Sequence, residues 1–235
     1  MQADLEHFLE TISTDAFALQ NHKLLRVRLD KVTIQAKLGA MVAYQGDVTF
    51  EHAGHGGVGR MVKKAVTGEG LALMKVSGTG EVYLADRAQD VHVLRLEDER
   101  ITVNGPHILA FDAGIGWDIE RVKGAGGMLG GGLFNTVLQG RGFVAVLSDG
   151  PPVLLDVAAA PTFADAEAAV TWSAGVSTSI KTDFKMKNLI GRGSGETVQV
   201  AFTGEGWVLV QPSEGRAEAP LEAGGPGGLP GSVSS

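Results

Sequence analysis

Cysteine is absent from this 235-residue chain. That excludes disulfides, thiolate zinc sites and cysteine nucleophiles, and it fits a reducing cytoplasm. No run of about 18 apolar residues occurs, so no membrane-spanning helix is expected. The opening Met1-Gln2-Ala3-Asp4 lacks the basic and apolar regions of a signal peptide. A cytoplasmic location is therefore the expectation. Positive charge is in deficit, with 20 Lys and Arg against 27 Asp and Glu and a net charge of −7. Such a surface disfavours non-specific binding to nucleic acid or anionic lipid, and it makes nucleic acid an unexpected partner. No Gly-x-Ser-x-Gly elbow occurs either, and Ser194 sits in Gly193-Ser194-Gly195, a loop sequence.

Glycine, by contrast, is abundant at 34 residues, and hydrophobic content is 44%, enough for one large all-β core. The chain writes one pattern three times: Gly78-Thr79-Gly80-Glu81-Val82, Gly140-Arg141-Gly142-Phe143-Val144 and Gly204-Glu205-Gly206-Trp207-Val208. The offsets are 62 and 64 residues. Gly-x-Gly before an alternating Val-rich run reads as a strand starting where backbones approach closely. A second pattern precedes each copy: Val42-Ala43-Tyr44-Gln45-Gly46-Asp47-Val48, Leu109-Ala110-Phe111-Asp112-Ala113-Gly114-Ile115 and Val170-Thr171-Trp172-Ser173-Ala174-Gly175-Val176. Each reads as a strand, a bend and a second strand. The sequence thus predicts one domain over 1–212 with three units at about 41–107, 108–168 and 169–212. The three Gly-x-Gly strands are expected to be equivalent around an approximate threefold axis.

Outside the repeats, Leu5, Phe8, Leu9 and Ile12 have helical spacing and predict a short amphipathic helix over 4–13. Leu24 to Leu29 and Val32 to Ala36 read as two strands with one wet face, and Lys23, Arg26, Arg28, Lys31 and Lys37 are expected to be solvated there. No aromatic residue interleaves these cations, as a nucleic-acid surface would require. Residues 96–101 read as a hairpin turn. Residues 164–170 have helical propensity, but their place in the repeat predicts a strand and turn. Residues 213–235 are too poor in large apolar residues to offset their ordering entropy, so a disordered, dispensable tail is expected.

The most unusual loop covers 124–134. Counting from Gly124, a dinucleotide-type Gly-x-Gly-x-x-Gly fails at Leu129, and the following Asn135-Thr136-Val137-Leu138 reads as a strand rather than a phosphate-holding helix. Gly126, Gly127, Met128, Leu129, Gly130, Leu133 and Phe134 instead form a candidate contact loop. It packs either inside the fold or against a protein or membrane-surface partner, because such side chains exposed together leave an apolar patch. The corresponding loops at 56–70 and 181–195 are basic, through Arg60, Lys63, Lys64, Lys185, Lys187 and Arg192; they are read as solvated, with anion binding the alternative. His52 and His55, with Glu51, could ligate a metal. The His-x-His, Glu and distant His of a cupin-type centre are missing, so surface histidines are expected. Asp112, Asp118 and Glu120 give at most a spaced carboxylate pair. No catalytic, cofactor or metal residue is assigned, and the chain is read as no enzyme.

With the repeats aligned, Gly39-Ala40-Met41-Val42-Ala43-Tyr44 with Gly46-Asp47-Val48, Ser77-Gly78-Thr79-Gly80 with Ala85-Asp86, Gly132-Leu133-Phe134 before Gly140-Arg141-Gly142, and Gly204-Glu205-Gly206 to Gln211 resemble the altered-inheritance-of-mitochondria family over about 16–212. The order and spacing of these motifs carry the resemblance. It implies a TRAP-like β-sandwich, of the double-stranded β-helix type and named for the tryptophan RNA-binding attenuator protein, repeated three times. Mitochondrial members are implicated in inner-membrane organisation; without a transit peptide, this chain resembles a bacterial member. The attenuator's RNA and tryptophan binding does not follow, since fold does not fix function. The expectation is a non-enzymatic assembly or interaction module, as a homo-oligomer or against a protein or membrane surface. The alternative is a small-molecule or nucleic-acid binder using inter-repeat loops.

Overall fold

β-Branched and leucine side chains alternate along most of the sequence, a pattern that packs well on a pleated, half-buried surface. The computed structural model describes residues 8–52, 71–121, 134–180 and 199–213, and these form antiparallel β-structure. The strands are β1 (Phe17–Asn21), β2 (Leu24–Lys37), β3 (Met41–His52), β4 (Leu73–Leu84), β5 (Asp90–Asn104), β6 (Ile108–Asp112) and β7 (Gly116–Arg121). There follow β8 (Phe134–Ser148), β9 (Val153–Asp156), β10 (Thr162–Asp165), β11 (Ala169–Ser173), β12 (Val176–Ile180), β13 (Gln199–Gly204) and β14 (Trp207–Val210). The main sheet runs β3-β4-β2-β6-β8-β5-β11-β14-β9, with β1 on β2 and β7 on β8; β10-β13-β12 form a second sheet. The main sheet is open, ending at β3 and β9 rather than closing into a barrel. The fold is an all-β sandwich, as the sequence predicts.

Each Gly-x-Gly run sits in the middle of three strands. β4 lies between β2 and β3, and β8 lies between β5 and the β6–β7 pair. β13 and β14 lie between β10 and β9 on one side and β12 and β11 on the other. Both glycines of every copy have positive φ, from +113° at Gly204 to +154° at Gly80. That conformation suits glycine alone, and it bends the strand over its core. Opposite the first two corners, the partner strand bulges through a non-glycine residue in the left-handed region, Lys31 (φ 54°) and Asp98 (φ 63°).

Three apolar clusters follow these groups. Leu25, Val27, Ile34, Val82 and Leu84 fill the first; Ile101, Phe111, Leu138 and Val144 the second; Trp172, Val200, Phe202 and Val208 the third. Residues contributed by the next group close the first two, for example Leu109 and Leu147 on the first and Val170 on the second.

Four local expectations are corrected. Residues 9–13 are not helical, and Leu9 and Ile12 are exposed; residues 1–7 lie outside the described residues. The segment is held extended because Gln20 and Arg26 capture its backbone: Thr11 N–H donates to Gln20 Oε1, and the Arg26 guanidinium donates to Thr11 O and Ser13 O. Residues 24–37 form one strand bulged at Lys31, not two strands. Residues 96–101 are likewise the bulge inside β5, where Arg141 pairs with Glu97 and Asp98, rather than a hairpin turn. The cations of β2 and its approach are not simply solvated: Arg26 is buried beside Glu81, while Lys23 pairs with Asp90 and Lys37 with Asp86. Residues 164–170 are not helical: β10 ends at Asp165, 166–168 form a turn and β11 begins at Ala169.

Candidate functional site

The titratable groups that come together do so for structure. Asp90 and His92 sit on one face of β5, and His92 Nε2 lies 2.7 Å from Ser148 Oγ. The trio has the residue types of a serine hydrolase. Ser148 Oγ, however, donates its proton to Gly150 O at 2.6 Å, so the histidine is the donor to serine. That is the reverse of what a general base requires. Ser148 is also fully buried. Burial pushes the His92 imidazole below its ordinary pKa, and a hydrogen bond from Lys23 holds Asp90 below the usual carboxylate range. Asp112 is half-buried, and burial pushes its carboxyl up. Glu120 is taken by Arg100 at 2.7 Å. Among the described residues, no group of three or more His, Asp and Glu could hold a metal ion. His52 ends β3, whereas His55 lies outside the described residues.

A cleft of about 180 Å³ opens between the second and third groups of strands. Thr102 of β5, Asn135 of β8, Trp172 of β11 and Thr178 of β12 line it. The Arg100–Glu120 pair lies at one wall. Asn135 is buried, while the neighbouring Asn104 is used structurally, donating to Ala166 O and Ala169 O. The volume of this cleft suits a small molecule.

The other feature that stands out is an apolar sheet edge. In the first half of β3, Met41, Val42, Ala43 and Tyr44 are all exposed. Tyr44 is 49% exposed, whereas the residues at its place in the other two copies, Phe111 and Trp172, are 0% and 5% exposed. The difference lies in the neighbours: β6 is covered by β2 and β11 by β5, but β3 pairs only with β4 among the described strands. Tyr44 packs edge-on against Phe50, with ring centroids 5.2 Å apart.

Of the candidate contact loop, Phe134 opens β8 with its backbone opposite Arg121. Gly126, Gly127, Met128, Leu129, Gly130 and Leu133 lie outside the described residues, as do the basic loops and residues 214–235. The sequence reading missed the exposed edge because Met41-Val42-Ala43-Tyr44 looks as buried as its two counterparts.

Among the described residues, no helix is long and apolar enough to cross a membrane. No curated protein matches the chain. A crystal structure of a Streptococcus pyogenes protein superposes with a TM-score of 0.66 at 24% identity, covering 83% of this chain and 91% of that one; this likeness shows a shared fold. The profile of the family described as mitochondrial biogenesis AIM24 matches residues 17–213, which takes in every strand above, and the chain therefore belongs to that family.

Proposed function

We propose that the protein is a non-enzymatic assembly module that holds a partner surface on its exposed sheet edge. The observation that carries this reading is the edge at 41–44, where four consecutive residues stay exposed on a strand whose outer side has no partner among the described strands. Such an edge templates pairing with another chain. The reading is supported by the structural use of His92, Ser148, Asp112 and Arg26 among the described residues. The module is a TRAP-like body of three units. The units are those read from the sequence, at about 41–107, 108–168 and 169–212, and the grouping of strands around each Gly-x-Gly run supports the reading. Membership of a mitochondrial-biogenesis family supports a place at a membrane surface, as a peripheral protein on the cytoplasmic side.

Light scattering after size exclusion, over a range of concentrations, tests assembly. Flotation with neutral and anionic vesicles tests the membrane arm. Val42→Lys should weaken whichever association the wild type shows while leaving the thermal melt unchanged. Association untouched by this substitution would remove the edge from the reading. A second reading is favoured by the cleft: Asn135 and Trp172, flanked by Thr102 and Thr178, suit a small polar ligand. Quenching of tryptophan fluorescence by a metabolite, lost in Asn135→Leu, would establish it.

A further inference from the structure

Two junctions inside the fold share one register and differ in kind at a buried position. At the first, β6 pairs with β2 and places Phe111 opposite Gln35. At the second, β11 pairs with β5 and places Trp172 opposite Thr102. The residue five before the Gly-x-Gly run is Leu73 in the first case and Asn135 in the second. Leu73 is buried in the same apolar cluster as Phe111. Asn135 is almost as deeply buried, at 8% exposed against 6%, yet it is polar and lines the cleft of about 180 Å³.

A carboxamide at such a position is costly unless it is hydrogen-bonded. The neighbouring Asn104 meets that demand inside the fold, on Ala166 O and Ala169 O. The Asn135 side chain makes no hydrogen bond among the described residues, and its polar atoms stay accessible from the cleft. Thr102, Ser177 and Thr178 line the same space, and their hydroxyls likewise make no hydrogen bond among the described residues. One water needs only about 10–15 Å³, which suits the cavity of about 10 Å³ beside the cleft but not the cleft itself. The cleft is also smaller than the ~300 Å³ at which drug-sized pockets begin, so it fits a single ring rather than a nucleotide.

The charged residues of the lining, Arg100 and Glu120, pair with each other at 2.7 Å and cancel. What remains is a carboxamide and three hydroxyls, groups that donate and accept alike. A ligand that matches them carries no net charge and several groups that do both. We propose that the cleft binds a neutral polyhydroxylated molecule of about one sugar ring, its hydroxyls paired with Asn135, Thr102 and Thr178. The inference rests on the ligand-binding reading above and names the class of ligand.

Glucose, galactose and myo-inositol are titrated against the full chain, with gluconate and glucosamine as charged probes of similar size. Saturation-transfer NMR reports contact, and tryptophan fluorescence reports affinity. At least one neutral probe should bind saturably, with a Kd of about 1 mM or tighter, and the charged probes about tenfold more weakly. Asn135→Leu, which gives this junction the side chain of the first, should weaken binding by about tenfold or more while melting at or above wild type. Thr178→Val is the companion variant should Asn135→Leu fold poorly, with the same loss of binding expected. Binding that survives both substitutions overturns the proposal. If gluconate or glucosamine binds more tightly than every neutral probe and Asn135→Leu abolishes it, the ligand-binding reading stands and the class named here is wrong. If none of the five probes binds the wild type, both fall.

Discussion

Asp112 Oδ2 accepts the backbone N–H of Phe143 at 2.6 Å, so the corner after Gly142 is closed by a side chain rather than by the strand ladder. The third copy repeats this with a different residue: Ser173 Oγ accepts the N–H of Trp207 at 3.0 Å, just after Gly206. Both acceptors directly follow the buried aromatic of their copy, Phe111 or Trp172. The sharp bend turns an N–H away from its neighbours, and a buried donor needs an acceptor. Asp112 thus belongs to the fold, although its half-buried carboxylate resembles a catalytic group.

Substitution at this corner separates its charge from its hydrogen bond. Burial raises the Asp112 carboxyl, with the Phe143 N–H opposing. A raised folded-state value means that its stabilising contribution is present below the ordinary carboxylate pKa and is lost as pH rises through the raised value. At neutral pH the ionised group is a cost. Asp112→Asn keeps an acceptor and removes the charge, so it should melt at or above wild type at neutral pH, with the margin shrinking in acid. Asp112→Ala, which strands the N–H, should lose about 1–3 kcal/mol. Thermal melts at neutral and acid pH check both; an Asn variant as unstable as the Ala variant would sink the argument.

The paired glycines should not be equally replaceable. An alanine Cβ at Gly80 would overlap the Gln45 carbonyl oxygen, because Gly80 lies opposite Gly46 with backbones in contact. At Gly140 the nearest atom to such a Cβ is Ile115 Cα at 3.7 Å, so only the positive φ is penalised. Gly140→Ala should cost about 1–2 kcal/mol, the left-handed penalty. Gly80→Ala should cost clearly more, since backbone must also move. Urea midpoints compare them; equal losses would show that the close approach is not a constraint.

Acid sensitivity should track His107. This imidazole is buried, with Nδ1 2.9 Å from Leu147 O, and burial holds it below its ordinary pKa. A depressed base stabilises the fold above its unfolded pKa, and that contribution is lost as pH falls through the depressed value. Stability should therefore fall from about pH 6.5 downward. His107→Gln should be less stable at neutral pH but show a shallower fall in acid. Half-buried His92 is depressed in the same direction, so the double variant should flatten the limb further. An unchanged dependence of urea midpoint on pH in His107→Gln would assign the acid limb elsewhere.

Strand content and the three Gly-x-Gly corners were legible because alternation and glycine spacing are local signals. Two kinds of feature were not. Lys31 and Asp98 adopt left-handed bulges that nothing in their side chains announces, so one bent strand read as two strands at Lys31 and as a turn at Asp98. Burial also depends on pairing with distant segments: Phe111 is covered by β2, some 75 residues earlier, while Tyr44 is left bare. The helical spacing of Leu5, Phe8, Leu9 and Ile12 misled because it is local, whereas the hydrogen bonds fixing residues 11–14 come from Gln20, Arg26 and Arg28.

The Arg26 guanidinium should govern whether that N-terminal segment stays on the body. It is buried, donates to Thr11 O at 2.8 Å and Ser13 O at 2.9 Å, and approaches Glu81 Oε1 at 3.4 Å. Two carbonyls and a carboxylate thus depend on one planar fork, which lysine cannot reproduce with a point charge. Removing it leaves Glu81 partly buried without its cation, a change that costs about 3 kcal/mol where burial is complete and less here. Arg26→Ala should therefore destabilise the fold and also speed proteolysis ahead of β1, with cleavage mapped near residues 11–14. Arg26→Lys should restore part of the melting temperature through the charge while leaving the segment almost as cleavable. If lysine protects the segment as well as arginine does, the bidentate hold on Thr11 and Ser13 is not what fixes it.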